Sequence, residues 1–149
     1  EDTSPSRIIL DKNLEIPIKS NLVSSASSYR TIIFFNKIRQ RKIEVLKRLK
    51  VKLIKIPLNE DENFNLKNIL VKVKLLGFSR IFLESGLNLT TNFLNEGLVD
   101  VLQLFISNKN LNKNGNKSFK KNIKSFLKKK LTNVKVNLLR DKLISCSVK

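Results

Sequence analysis

Ile81-Phe82-Leu83-Glu84-Ser85-Gly86-Leu87-Asn88-Leu89-Thr90-Thr91-Asn92-Phe93-Leu94 reads as a strand, a turn and the start of a helix. The apolar run over Arg80–Glu84 is expected to be a buried strand that delivers Glu84 at its carboxyl end. Gly86 allows a sharp turn with no side chain on it. The helix starts at once, so its first backbone N–H groups lack partners within the helix. Those donors, together with the helix dipole, form an anion site suited to a pyrophosphate. Asn88, Thr90, Thr91 and Asn92 can add side-chain bonds, and Glu84 can accept hydrogen bonds from a nitrogen-rich ring. A plainer reading stands beside this one. A Gly between strand and helix is often only a turn residue, and a carboxylate at a strand end often caps the next helix.

Working outward, the same alternation recurs. Arg7-Ile8-Ile9-Leu10-Asp11 is a short apolar run ending in an acid, Thr31–Phe35 is β-branched and aromatic, and Val51–Ile56 alternates apolar residues with Lys before Pro57. Pro17 breaks an irregular stretch, and the cluster Ser24–Ser28 marks a loop. Between the runs, Ile43, Leu46 and Leu49 share one helical face within Arg39–Lys50. Asn65 stands as the cap of a second helix carrying Leu66, Ile69, Leu70 and Val73, with Phe64 and Ile69 placed as a staple. Gly77 suits the left-handed residue after that helix, with Phe78 folding back on its last turn. A helix over Leu87–Glu96 closes at Gly97, followed by a strand over Val99–Ile106. Val134–Leu139 and Leu143–Val148 then form a hairpin about Arg140-Asp141-Lys142. This order predicts an α/β fold, a largely parallel sheet with helices on both faces and an antiparallel C-terminal edge. In such sheets ligands lie outside the carboxyl ends of the strands, here Leu10-Asp11-Lys12, Pro57-Leu58-Asn59 and Leu83-Glu84-Ser85-Gly86.

Composition removes several chemistries. The 149 residues contain no His and a single Cys, Cys146. Ser-His and Cys-His nucleophilic pairs are therefore excluded within these residues, as are His-based zinc sites, so no metal is expected. Cys146 reads as a small buried hydrophobe, and a reducing cytoplasm is the expected setting. No stretch reaches the roughly 18 apolar residues needed to span a bilayer, so no membrane partner is expected. The net charge of +18 invites a nucleic-acid reading. Ser107–Lys130 holds nine Lys and no acid. A solvated loop and helix face accounts for it as well, because Lys, Asn, Ile and Leu rise together under AT-rich coding. Stacking aromatics are few, with no Trp and one Tyr, so nucleic acid is not the expected partner.

The quoted stretch resembles the reductase half of the riboflavin-specific bifunctional deaminase/reductase family. That half carries a Glu-Gly-Gly or Glu-Ala-Gly turn, a Leu-rich helix and a Leu-Val-Asp. The counterparts here are Glu84-Ser85-Gly86, Leu89, Phe93-Leu94 and Gly97-Leu98-Val99-Asp100. Pro5-Ser6-Arg7-Ile8-Ile9-Leu10-Asp11 is similar to the family's first Pro-x-Arg-Val-Val-Leu-Asp strand, with Leu14 and Pro17 following in place. Phe105-Ile106-Ser107 and Leu138-Leu139-Arg140-Asp141 fall in register. The ordered set spans nearly the whole chain.

The resemblance implies a dihydrofolate-reductase-like sandwich and reduction of 5-amino-6-(5-phosphoribosylamino)uracil by NADPH to the ribitylamino form. It implies Glu84 as substrate ligand, and Lys12, Gly86, Leu87, Asn88, Leu89, Thr90, Thr91 and Asn92 as cofactor-binding positions. Lys12 reads equally as a surface lysine. The family also implies a homodimer. No residue is assigned as proton donor. Ser85 departs from the family's Gly or Ala but is small. The family's preceding strand-helix-strand portion has no counterpart among these residues. The chain is therefore expected to be a single, N-terminally partial reductase domain over residues 1–149, active or inactive by itself. A zinc deaminase site, with its His and two Cys, is likewise absent from them. Three alternatives remain open. One is a reductase of the same fold on another pterin or pyrimidine, one a nucleic-acid module built on Lys109–Lys130, and one an inactive structural remnant.

Overall fold

The computed structural model describes residues 4–109, 131–136 and 140–148. Its elements run β1 (Arg7–Leu10), α1 (Asn21–Ser24), β2 (Thr31–Phe35), α2 (Gln40–Arg48), β3 (Lys52–Lys55), α3 (Leu66–Leu75), α4 (Leu87–Asn95), β4 (Val101–Ile106), β5 (Leu131–Val134) and β6 (Lys142–Ser147). They fall into two compact units, Glu1–Phe78 and Ser79–Lys149. Together they give the expected α/β class, with a parallel sheet in the first unit and an antiparallel sheet in the second.

In the first unit β2 lies between β1 and β3, parallel to both, with Ile33 opposite Ile9 on one side and Leu53 on the other. All five residues of β2 are buried. A parallel strand hydrogen-bonded on both edges must also bury both faces, which is why its sequence carries no polar alternation. Successive side chains go to opposite faces. Ile33 and Phe35 join Val23 of α1 and Leu46 of α2, with Leu14 and Val51, in one cluster. Phe34 joins Ile69 and Val73 of α3, with Ile56, in the other. Helices thus cover both faces of this sheet.

α3 begins as its sequence predicts, the Asn65 side chain accepting from the Asn68 amide at 3.0 Å. It ends at Gly77, whose φ of +92° continues into Phe78 folded back onto the core. Two features of this unit had no clear sequence signal. The serine-rich stretch opens with the single turn of α1. Arg7 is tied to Ser25 Oγ at 2.9 Å, the Tyr29 carbonyl at 2.9 Å and Thr31 Oγ1 at 2.7 Å, and stacks over the Tyr29 ring.

In the second unit β6 pairs antiparallel with both β4 and β5, in the order β4-β6-β5. Leu143 and Cys146 of β6 are buried, the thiol completely, as expected of an inert hydrophobe. Asp141 Oδ1 accepts from Ser107 Oγ at 3.2 Å and from the Asn108 amide at 3.1 Å, holding the end of β4 to the start of β6.

Two expectations need correction. Arg80–Glu84 is not a strand: among the described residues nothing pairs with it, and Ile81 and Phe82 are 49% and 71% exposed. Apolar residues alone do not make a strand when no neighbour supplies a hydrogen-bonding edge. The hairpin's first strand lies earlier than Val134–Leu139, at Leu131–Val134, where Leu131 pairs with Cys146 and Val134 with Leu143. Of that expected range, residues 137–139 lie outside the described residues, as does the Lys/Asn-rich segment over 110–130.

Truncation of the central strand is expected to be the most costly single change. Phe34→Ala should lower the unfolding free energy by about 3–5 kcal/mol, and Asn65→Ala by about 1 kcal/mol. Urea denaturation of the two variants against the parent chain measures both.

Candidate functional site

Two regions carry the residues singled out by sequence, one in each unit. In the second unit Glu84, Ser85 and Gly86 are exposed in irregular backbone that runs directly into α4. No side chain of the N-cap residue, Gly86, can cap α4, and its first turn holds no acid. The Glu84 side chain is exposed and makes no hydrogen bond or ion pair with the described residues. The amides of Leu87, Asn88 and Leu89 therefore begin a helix whose positive end no described side chain neutralises.

Gly86 has φ −67° and ψ 165°, extended backbone that any residue adopts. A Cβ added there would meet nothing within 4 Å. Glycine is thus required neither by the backbone conformation nor by packing among the described residues. What the missing side chain leaves is open space in front of the helix.

The α4 side chains divide by face. Asn88 and Asn92, one turn apart, are both exposed. Thr90 Oγ1 lies 3.0 Å from Ser85 Oγ, so the serine that departs from the family pattern ties the turn to the helix. Thr91 is 7% exposed and its hydroxyl donates to the Leu87 carbonyl at 2.6 Å. Its hydroxyl is spent inside the helix, and Leu87 and Leu89 are half-buried. Glu84, Gly86 and the exposed Asn pair are therefore brought together on one short segment.

In the first unit Lys12 sits just past the carboxyl end of β1, as expected, half-buried. Its ammonium donates to the Glu62 carbonyl at 2.8 Å, and its own carbonyl accepts from the amides of Asn36 and Lys37 at 3.0 and 2.9 Å. Asn36 carries the link onward, its side-chain amide donating to the Ile56 carbonyl at 2.9 Å. Asp11 holds the loop after β1 by accepting from the Glu15 and Ile16 amides at 2.9 and 2.8 Å. That loop includes the fully buried Leu14 at φ 52°, a conformation uncommon for a branched side chain. The carboxyl edge of the parallel sheet is thus fastened strand to strand. Sequence reasoning passed over Asn36; its one signal is a polar residue placed immediately after the apolar strand Thr31–Phe35. Among the described residues no group of three His, Cys, Asp or Glu could hold a metal ion, and no helix is long and apolar enough to cross a membrane.

Comparison with known proteins bears on the family and the fold. The family model described as "RibD C-terminal domain" matches residues 1–143. The riboflavin biosynthesis protein RibD of Aquifex aeolicus (strain VF5) is 34% identical over 108 residues, 72% of this chain and 28% of that protein. RibD of Actinobacillus pleuropneumoniae is 29% identical over 105 residues, so the chain matches about 28% of the length of each of these curated relatives. Among solved structures, Acinetobacter baumannii RibD superposes with a TM-score of 0.68 at 20% identity, covering 96% of this chain and 37% of that one. The Saccharomyces cerevisiae riboflavin biosynthesis reductase Rib7 gives 0.66 at 15% identity, covering 97% and 69%. At these identities the structures speak for the fold alone, a dihydrofolate-reductase-like one.

Lys12→Met should test the fastening role directly. Amide exchange at Glu62 and Asn63 is expected to quicken several-fold while global stability stays within about 0.5 kcal/mol, because an exposed bond governs local opening. Hydrogen-exchange NMR reads both quantities.

Proposed function

The chain belongs to the RibD C-terminal domain family, and from that membership we propose that it serves as the NADPH-dependent reductase of riboflavin biosynthesis. The substrate is 5-amino-6-(5-phosphoribosylamino)uracil, and the two units act as one reductase domain. The observation that carries this reading is the exposed backbone of Glu84-Ser85-Gly86, extended at Gly86, before the uncapped N-terminus of α4. A dinucleotide's diphosphate needs backbone donors, a positive dipole end and no side chain in its way. All three features meet at Gly86, so these residues fit the cofactor.

NADPH, when bound, supplies the hydride that reduces C1 of the ring-opened ribose imine. The protein supplies position and charge. The amides of Leu87, Asn88 and Leu89 hold the diphosphate, and the exposed side chains of Asn88 and Asn92 add hydrogen bonds on the same face. Thr90 and Ser85 keep the bend in place through their shared contact. Thr91, a further proposed cofactor position, keeps its hydroxyl on the Leu87 carbonyl. Glu84 accepts hydrogen bonds from the uracil ring, a role open to it because it caps nothing. Lys12 is a second proposed cofactor contact, reached by exchanging its bond to the Glu62 carbonyl for a phosphate oxygen.

Two variants separate the two ligands. Glu84→Gln should weaken binding of the ribosylaminouracil by about 10- to 100-fold, the loss of a charge-assisted hydrogen bond, while NADPH affinity holds within twofold. Gly86→Ala should do the reverse, weakening NADPH at least tenfold. Its stability is expected to change by less than about 1 kcal/mol, because a poorer N-cap and a stiffer unfolded chain oppose each other. Calorimetric titration of both variants with both ligands measures this, and equal loss of both ligands in Glu84→Gln contradicts the assignment.

A further inference from the structure

The first unit carries a concentration of cations that the chemistry proposed at Gly86 leaves unused. Lys37–Lys55 contains nine Lys and Arg and a single acid, Glu44. Glu44 is already engaged, accepting from the Gln40 side chain at 3.0 Å. The loop after β1 and the first turns of α2 together form an open groove of about 470 Å³, lined by Pro17, Ile18, Lys19, Arg41, Lys42 and Val45. Pro17, Ile18 and Val45 are its apolar lining residues; its charge comes from three cations, Lys19 of the loop and Arg41 and Lys42 of α2. No carboxylate lines it. The side chains of Lys19, Arg41 and Lys42 make no hydrogen bond or ion pair with the described residues.

The helix beneath them adds to the same potential. Arg39, Arg41 and Lys42 stand at the N-cap and first turn of α2, where the dipole is positive and cations are disfavoured. Neither an acidic residue in that turn nor a capping side chain offsets them. Three like charges thus line one indentation together with three apolar residues.

We propose that this groove is a phosphate-recognition site for a small phosphomonoester, its phosphate held by Lys19, Arg41 and Lys42 and its uncharged body lying on Pro17, Ile18 and Val45. A phosphomonoester brings close to two negative charges near neutral pH and three strong acceptor oxygens, and Arg41 can engage two of those oxygens at once. A carboxylate brings one charge and leaves most of the cation set unmatched. The groove volume falls in the range of small-molecule sites, roughly 300–1,000 Å³. Single-stranded nucleic acid fits it less well, because such strands are gripped by stacking on aromatic rings and no lining residue is aromatic. The site lies wholly in the Glu1–Phe78 unit, so it stands or falls separately from the dinucleotide reading at Gly86.

The test is an amide-resolved NMR titration of the full chain with adenosine 5′-monophosphate, adenosine, inorganic phosphate and an eight-nucleotide oligothymidylate. The expected result is a saturable shift of the Lys19, Arg41 and Lys42 amides with the monophosphate, a weaker shift at the same amides with phosphate, and none with adenosine. Lys19→Ala/Arg41→Ala replaces two exposed side chains, so thermal unfolding should be unchanged while monophosphate affinity falls at least tenfold. Shifts confined to other amides, or monophosphate binding unaltered in the double variant, overturn the proposal. Tighter binding of the oligonucleotide, with shifts spread along Lys37–Lys55, overturns it in favour of a nucleic-acid surface.

Discussion

β2 has no exposed face. Its ladder bonds go to β1 on one side and β3 on the other, and every one of its five side chains is buried. Such a strand is stable only if apolar cover arrives on both sides of the sheet, which fixes the placement of α1 and α2 against Ile33 and Phe35 and of α3 against Phe34. The same arrangement brings the ends of three parallel strands to one edge. There Lys12, Asn36 and the Ile56 carbonyl fasten them together.

The candidate site in the second unit rests on a different constraint, the cost of leaving helix amides without partners. α4 has no capping side chain and no acid in its first turn, and Glu84 makes no hydrogen bond with the described residues. Water meets that need in the free chain, and an anion meets it better. Gly86 gains its meaning here. Neither its backbone angles nor its neighbours call for glycine, unlike Gly77 and Gly97, whose φ values of +92° and +65° do. A glycine that nothing inside the chain requires, set in front of bare amides, fits a close approach from outside.

Much of the fold was legible because local signals agreed with tertiary ones. The apolar runs of β1 and β2, the Asn65 cap and the Gly77–Phe78 ending depend on a few neighbouring residues, and each fell where its pattern put it. The failures lie where the outcome depends on distant partners. Ile81 and Phe82 have the composition of a buried strand but no described partner edge, so they remain irregular and exposed. The hairpin's first strand was displaced because pairing with β6, not composition, sets its register at Leu131–Val134. At the site, Glu84, Gly86 and the helix start were readable as a motif. The inward turn of Thr91 was hidden, since a helical threonine's choice between solvent and its own backbone is made by packing. The bonds of Lys12 and Asn36 join residues far apart in sequence, so their partners could not be read from it.

The central claim is that the first turn of α4 binds a diphosphate through its backbone. Titrating the isotope-labelled chain with NADP⁺ and following the amides of Leu87, Asn88 and Leu89 tests it most directly. Large saturable downfield shifts at these three amides, with lesser changes at Asn92, are the predicted result. A titration that saturates while these three amides stay still would contradict the account.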